Sequence, residues 1–168
     1  MSESEENWYD DDIYEYKKQT IIDGDISNLS SFLDKYHFMI RPIIGDIIEK
    51  EKMHILDLIL STNNIGNIND YMYKCHCTNN DDIFIASINI FLSLGADLHY
   101  KDDYILLGSN INRIIYLINN GCNVNAMNGY VFSEYCRLGK MEIVQFMINC
   151  GVTNDNLNKG LGIAFKNS

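Results

Sequence analysis

The stretch from Leu138 to Gly151, LGKMEIVQFMINCG, decides the fold. Gly139-Lys140 reads as a tight turn. Met141 to Asn149 follows with apolar side chains at Ile143, Val144, Phe146, Met147 and Ile148, a spacing of three to four that predicts a short amphipathic helix. Gly151 stops it, because glycine enters the left-handed region at a helix C-terminus without a Cβ clash. So short a helix is marginal alone in water, and it needs similar helices to lie against.

Copies are present along the chain. Met53 to Leu60 aligns with Met141 to Ile148, apolar on apolar nearly throughout, with Lys52 at the place of Lys140. Gly24 to Leu33 gives a third copy, Ile111 to Gly121 a fourth and Ile85 to Gly95 a fifth. The helix stops fall at Tyr36, Asn63, Gly95, Gly121 and Gly151. Their period of about 30 residues, in the range of the known helical repeats, predicts an all-α solenoid rather than one globular core. The expected second helices lie near residues 26–35, 53–62, 83–94, 111–120 and 141–150.

The residues after the stops carry a family resemblance. Gly95-Ala96-Asp97-Leu98-His99 and Gly121-Cys122-Asn123-Val124-Asn125 resemble the G-A-D-[IV]-N segment of ankyrin repeats. Leu138-Gly139-Lys140-Met141-Glu142-Ile143-Val144 resembles the segment that opens an ankyrin repeat's second helix. The signature is full over 95–155 and periodic over 10–94. The T-P-L-H motif of the first helix is absent, with Tyr130-Val131-Phe132-Ser133 in its place in the last repeat, and Tyr135-Cys136 replaces the usual small alanine pair. The Asp103-Tyr104 pair before a degenerate helix resembles the divergent ankyrin proteins of giant amoebal DNA viruses. The resemblance implies an ankyrin-type solenoid of about five helix-turn-helix repeats with short finger loops. It would comprise an acidic tail over 1–9, an array over 10–155 and a cap over 156–168.

Composition bounds the function. Net charge is −10, and with no basic stripe to displace counterions a nucleic-acid partner is not expected. No window reaches the run of about 18 apolar residues that a membrane span needs, and the opening MSESEENWYDDD does not read as a signal peptide. Five cysteines at irregular places read as reduced thiols of an intracellular, cytoplasmic protein, in the host cytoplasm if the source is viral. The excess of Ile and Asn over Ala fits an AT-rich genome. Trp8 and Tyr9 are expected to fold over the first repeat, since end repeats need capping.

Cys75-His76-Cys77 is the one sequence that tempts a metal or enzyme reading. A structural zinc site pairs two ligand clusters, and no second pair follows here. Nothing orients a Cys–His nucleophile either. His37, His54 and His99 are scattered, and no glycine-rich phosphate loop occurs. Neither catalysis nor a cofactor is therefore expected.

What remains is binding of an unidentified protein partner. The resemblance implies that finger tips and first-helix starts line one concave face. That face would carry Tyr100, Lys101, Asp102, Asp103 and Tyr104, then Asn125, Met127, Asn128 and Tyr130. Tyrosine and methionine suit interface cores because they bury much area at modest entropic cost. The alternative for Tyr104 and Tyr130 is inward packing at the start of their helices. The runner-up function is homotypic assembly into a homodimer or larger oligomer, motivated by apolar residues near both ends such as Trp8 and Phe165.

Overall fold

A computed structural model describes the backbone over residues 3–36, 40–62 and 65–166, and side chains over 12–36, 40–62 and 65–164. The positions Asn63 and His37, and the side chains of Trp8, Tyr9 and Phe165, therefore lie outside the described residues. The chain is all-helical, with no strand among the described residues. It divides into two compact units, Met1–Leu94 and Gly95–Ser168.

In the first unit α1 spans Glu3–Ile22, α2 Leu29–Tyr36, α3 Ile40–Glu49 and α4 Met53–Leu60. α5 covers only Asn69–Met72 and runs into a 3-10 turn over Tyr73–Cys77, and α6 spans Asp81–Ser93. The segment expected as an acidic tail over 1–9 is thus helical from Glu3 onward, continuous with α1. Burial follows the three-to-four spacing. α2 buries Leu29, Phe32, Leu33 and Tyr36, and α3 buries Ile40, Ile43, Ile44, Ile47 and Ile48. Tyr14 from α1 stacks on Phe32 at 5.8 Å between ring centroids. Pro42 sits in the first turn of α3, where its missing N–H costs nothing because no helical acceptor precedes it.

The turns between paired helices repeat in detail. Glu51 (φ 59°) and Gly139 (φ 65°) both adopt the left-handed conformation. After each, the next amide closes the helix in the same way, Lys52 N–H to Ile47 O at 2.9 Å and Lys140 N–H to Tyr135 O at 3.1 Å. This is the Schellman closure that satisfies the last helical carbonyls. It occurs at the positions that the sequence alignment paired.

In the second unit α7 is Tyr100–Asp103, followed by a 3-10 turn Tyr104–Leu106, and α8 spans Ile111–Asn119. A 3-10 turn Met127–Gly129 precedes α9, Tyr130–Arg137, and α10 and α11 span Met141–Asn149 and Asn154–Lys166. The five second helices α2, α4, α6, α8 and α10 fall where the period placed them. The segment before α8 departs from a regular helix pair, because Lys101, Asp102 and Asp103 all carry φ between 55° and 58°, so α7 is a left-handed turn. Only Tyr104–Leu106 then remains before Gly108 and the Asn110 cap, too few residues for two helical turns.

The missing helix leaves carbonyls to satisfy in the core. Tyr135 of α9, 3% exposed, fills that need with its hydroxyl, 2.6 Å from Leu106 O and 2.9 Å from Ser109 O. Tyr135 thus brings a donor to carbonyls that no helix of their own segment serves. Tyr135→Phe removes the donor and strands buried carbonyls, so it is expected to lower unfolding free energy by about 1–3 kcal/mol. Chemical denaturation checks this, and an unchanged midpoint would contradict it.

α11 begins at Asn154, two residues before the cap expected over 156–168. The helix lies against α9, and a Cβ at Gly160 would stand 2.6 Å from the Phe132 ring and 2.9 Å from Cys136 Sγ. Glycine is what lets the two helices approach.

Candidate functional site

Four polar side chains in the turns accept the N–H two residues on. Asp25 takes Ser27 N–H at 3.0 Å, Asn67 takes Asn69 N–H at 3.1 Å, Asp97 takes His99 N–H at 2.9 Å and Asn123 takes Asn125 N–H at 2.9 Å. These are Asx turns, which fix the chain direction after a helix stop. Asn67, Asp97 and Asn123 follow one another at intervals of 30 and 26 residues, close to the spacing of the helix stops.

In the second unit the match runs further. Lys101, Asp102 and Asp103 are left-handed, and so, one repeat later, are Met127, Asn128 and Gly129. A tyrosine follows each run, Tyr104 and Tyr130, at 38% and 52% exposure. They point outward at the starts of their segments, against the inward alternative.

Several candidate residues prove to be fasteners between turns. Asp103 is 1% exposed. One of its oxygens is 2.7 Å from His99 Nδ1, and the other accepts the Asn123 N–H. It therefore does not belong to an exposed binding face, because both oxygens are engaged inside the unit. Asp102, though exposed, accepts the Met127 N–H. Asn125 Oδ1 accepts Thr153 N–H at 2.9 Å and Asn156 Nδ2 at 3.0 Å, and Asn125 Nδ2 donates to Gly151 O at 3.2 Å. Lys159 Nζ reaches Asn128 O at 3.3 Å and Asn128 Oδ1 at 3.2 Å. Tyr100 and Met127, expected as fully available anchors, are half-buried. Lys101 is exposed and holds its ammonium 4.9 Å from the centroid of the Tyr100 ring. Of the candidates, Lys101, Tyr104, Asn128 and Tyr130 are left offering mainly outward surface.

Charge separates the two units. Residues 1–94 hold 17 acidic and 7 basic side chains, and residues 95–168 hold 6 of each. The excess of acid therefore lies in the first unit, and the second is balanced in formal charge.

The second unit also has a groove of about 500 Å³ lined by Gly108–Ile111 and Gly139–Ile143. It lies where α8 and α10 begin, whereas the fingers follow where those helices end. Its polar groups include Lys140 and Glu142, with Met141 exposed at its edge. The sequence did not announce it, because Gly108–Ile111 and Gly139–Ile143 come together only in the fold. The available signal is Gly108 and Gly139, each just before a second helix.

Cys75, His76 and Cys77 lie on the 3-10 turn of the first unit. Cys75 is buried, the His76 ring packs 5.2 Å from Phe84 and 4.8 Å from Tyr73, and Cys77 Sγ sits against Gly45. These three side chains pack into different surroundings. Among the described residues no group of three metal-ligating side chains converges, and no described helix is long and apolar enough to cross a membrane.

Burial, with Asp103 nearby, pushes the Cys122 thiol up to about 12. Its unfolded value is near 9. The folded state therefore holds this proton more tightly, and the resulting stabilisation is complete below about pH 9 and lost as pH rises towards 12. Unfolding followed against pH should show this alkaline decline reduced in a Cys122→Ala variant. An identical decline in both proteins would contradict it.

The chain matches no family model, no curated protein and no solved structure.

Proposed function

We propose that this protein is a non-catalytic interaction module of the ankyrin type. It binds a partner protein through the face carrying its finger turns and the starts of the segments that follow. If the source is viral, as the sequence resemblance implies, the partner is a host protein in the cytoplasm. The observation that carries the reading is the repetition at 97–104 and 123–130. An Asx turn, a left-handed run and an outward tyrosine recur there in the same order, one repeat apart. Stiff turns that present aromatic side chains at fixed spacing suit recognition, because little entropy is lost when they are covered.

The test begins with affinity capture from cell extract and continues with titration of the purified partner. Tyr104→Ala with Tyr130→Ala is expected to raise the off-rate, since central aromatic anchors typically cost about 2 kcal/mol or more when truncated. Deleting residues 1–7 should change mainly the on-rate, and more at low salt, because solvated carboxylates are screened within about 8–10 Å. Binding abolished by the deletion but untouched by the double substitution would overturn the assignment.

A second reading, homotypic assembly, is favoured by α1, whose Ile13 and Tyr16 are 44% and 71% exposed. Light scattering separates the two. A monomer that binds a partner supports the first reading, and a concentration-dependent oligomer lost in Ile13→Asp supports the second.

A further inference from the structure

The left-handed run at Lys101–Asp103 is unusual because none of its three residues is glycine. For L-residues other than glycine this region is sterically disfavoured, and successive residues there are rare. Such strain persists only where the surroundings over-determine it. Side-chain bonds from two carboxylates supply that here. Asp103 is buried and fixed to His99 and the Asn123 N–H, so it anchors the turn in the core. Asp102 differs, since its carboxylate is exposed and accepts the N–H of Met127 across to the next finger. Tyr100 and Tyr104 flank the run on either side, so its conformation sets where both rings stand. Tyr104 opens the single 3-10 turn Tyr104–Leu106 that follows the run.

We propose that Asp102 is a latch: its bond to the Met127 N–H holds the strained turn, and its loss lets Lys101–Asp103 relax and re-aim Tyr100 and Tyr104. The latch adds a conformational control to the binding face, and that functional meaning rests on the reading above. Asp102 is the part of the turn that a partner can reach, and a cationic side chain that draws the carboxylate outward takes it from the Met127 N–H. The binding face is then presented in one form while the latch is closed and in another once it opens.

Two variants separate the latch from the strain. Asp102→Ala removes the carboxylate and keeps a Cβ that disfavours φ near 55°. Asp102→Gly removes the carboxylate together with the strain at 102, while Lys101 and Asp103 keep theirs. Amide exchange and two-dimensional NMR on the free proteins read both effects. The Met127 amide is expected to exchange about tenfold faster in both variants, the loss of one charge-assisted hydrogen bond. The Tyr100 and Tyr104 resonances should move in the alanine variant and stay near their native positions in the glycine variant. An unchanged Met127 exchange rate in a folded variant, or equal tyrosine shifts in the two, overturns the latch. If alanine prevents folding, the glycine variant decides by Met127 exchange alone. No partner enters the measurement, so its failure leaves the binding reading standing.

Discussion

Gly129→Ala is expected to destabilise the second unit by about 2–5 kcal/mol, the sum of a left-handed backbone forced on an L-residue and an overpacked contact. Gly129 has φ 80°, and a Cβ there would stand 2.2 Å from Asn156 Cγ and 2.3 Å from Asn156 Oδ1. Asn156 cannot yield cheaply. It is 5% exposed, and its amide donates to Asn125 Oδ1 at 3.0 Å. Swinging it away would unfasten α11 from the finger at 123–129. Gly162→Ala in α11, the helix that carries Asn156, is the control, since nothing lies within 4 Å of its added Cβ and its φ is not positive. There alanine should stabilise by up to about 1 kcal/mol through helix propensity alone. Urea midpoints of the two variants should move in opposite directions, and a Gly129→Ala midpoint equal to that of the native protein would contradict the packing.

The second large effect is expected at Leu117. It lies in α8 with 0% exposure, on the stripe that the sequence alignment superposed on Met147 of α10, also 0% exposed. Leu117→Ala deletes buried methyl groups and leaves a cavity, a loss of about 2–5 kcal/mol depending on how far the surroundings collapse. α8 has no first helix of its own repeat to relax against, so the upper part of that range is expected. Asn119, exposed two residues on, serves as the comparison, because Asn119→Ala should move the melting temperature little.

α6, α8 and α10 were legible because apolar periodicity and a following glycine agree at each of them. Ile114, Leu117 and Gly121 suffice to place α8 without any tertiary information. The first helices were harder. Tyr104 to Leu107 reads as the start of a helix by propensity, yet the left-handed run before it and Gly108 after it leave room for one 3-10 turn. The side-chain bonds from Asp102 and Asp103 to distant amides decide that outcome, and no local pattern announces them. Asparagine misled in a different way. Its abundance suggested codon bias, but Asn80 and Asn110 cap helices, Asn67 and Asn123 close Asx turns, and Asn125 fastens the start of α11. The N-terminal segment read as a tail because charge dominates it, and the helix from Glu3 follows instead from the absence of any breaker before Gly24. Among the candidate site residues, the exposure of Tyr104 and Tyr130 agrees with what the resemblance implied and not with the inward alternative. The inward role of Asp103 did not, because a carboxylate goes into a core only when both oxygens find donors.

The most direct test of the repeat architecture is backbone NMR of the isotopically labelled protein, reading secondary shifts and φ residue by residue. The account predicts helical shifts over 29–36, 53–60, 81–93, 111–119 and 141–149. It also predicts positive φ at Lys101–Asp103 and again at Met127–Gly129, with no extended segment joining the helices into a sheet. Helical shifts running unbroken through Gly95 or Gly121, or negative φ at both finger runs, would contradict it.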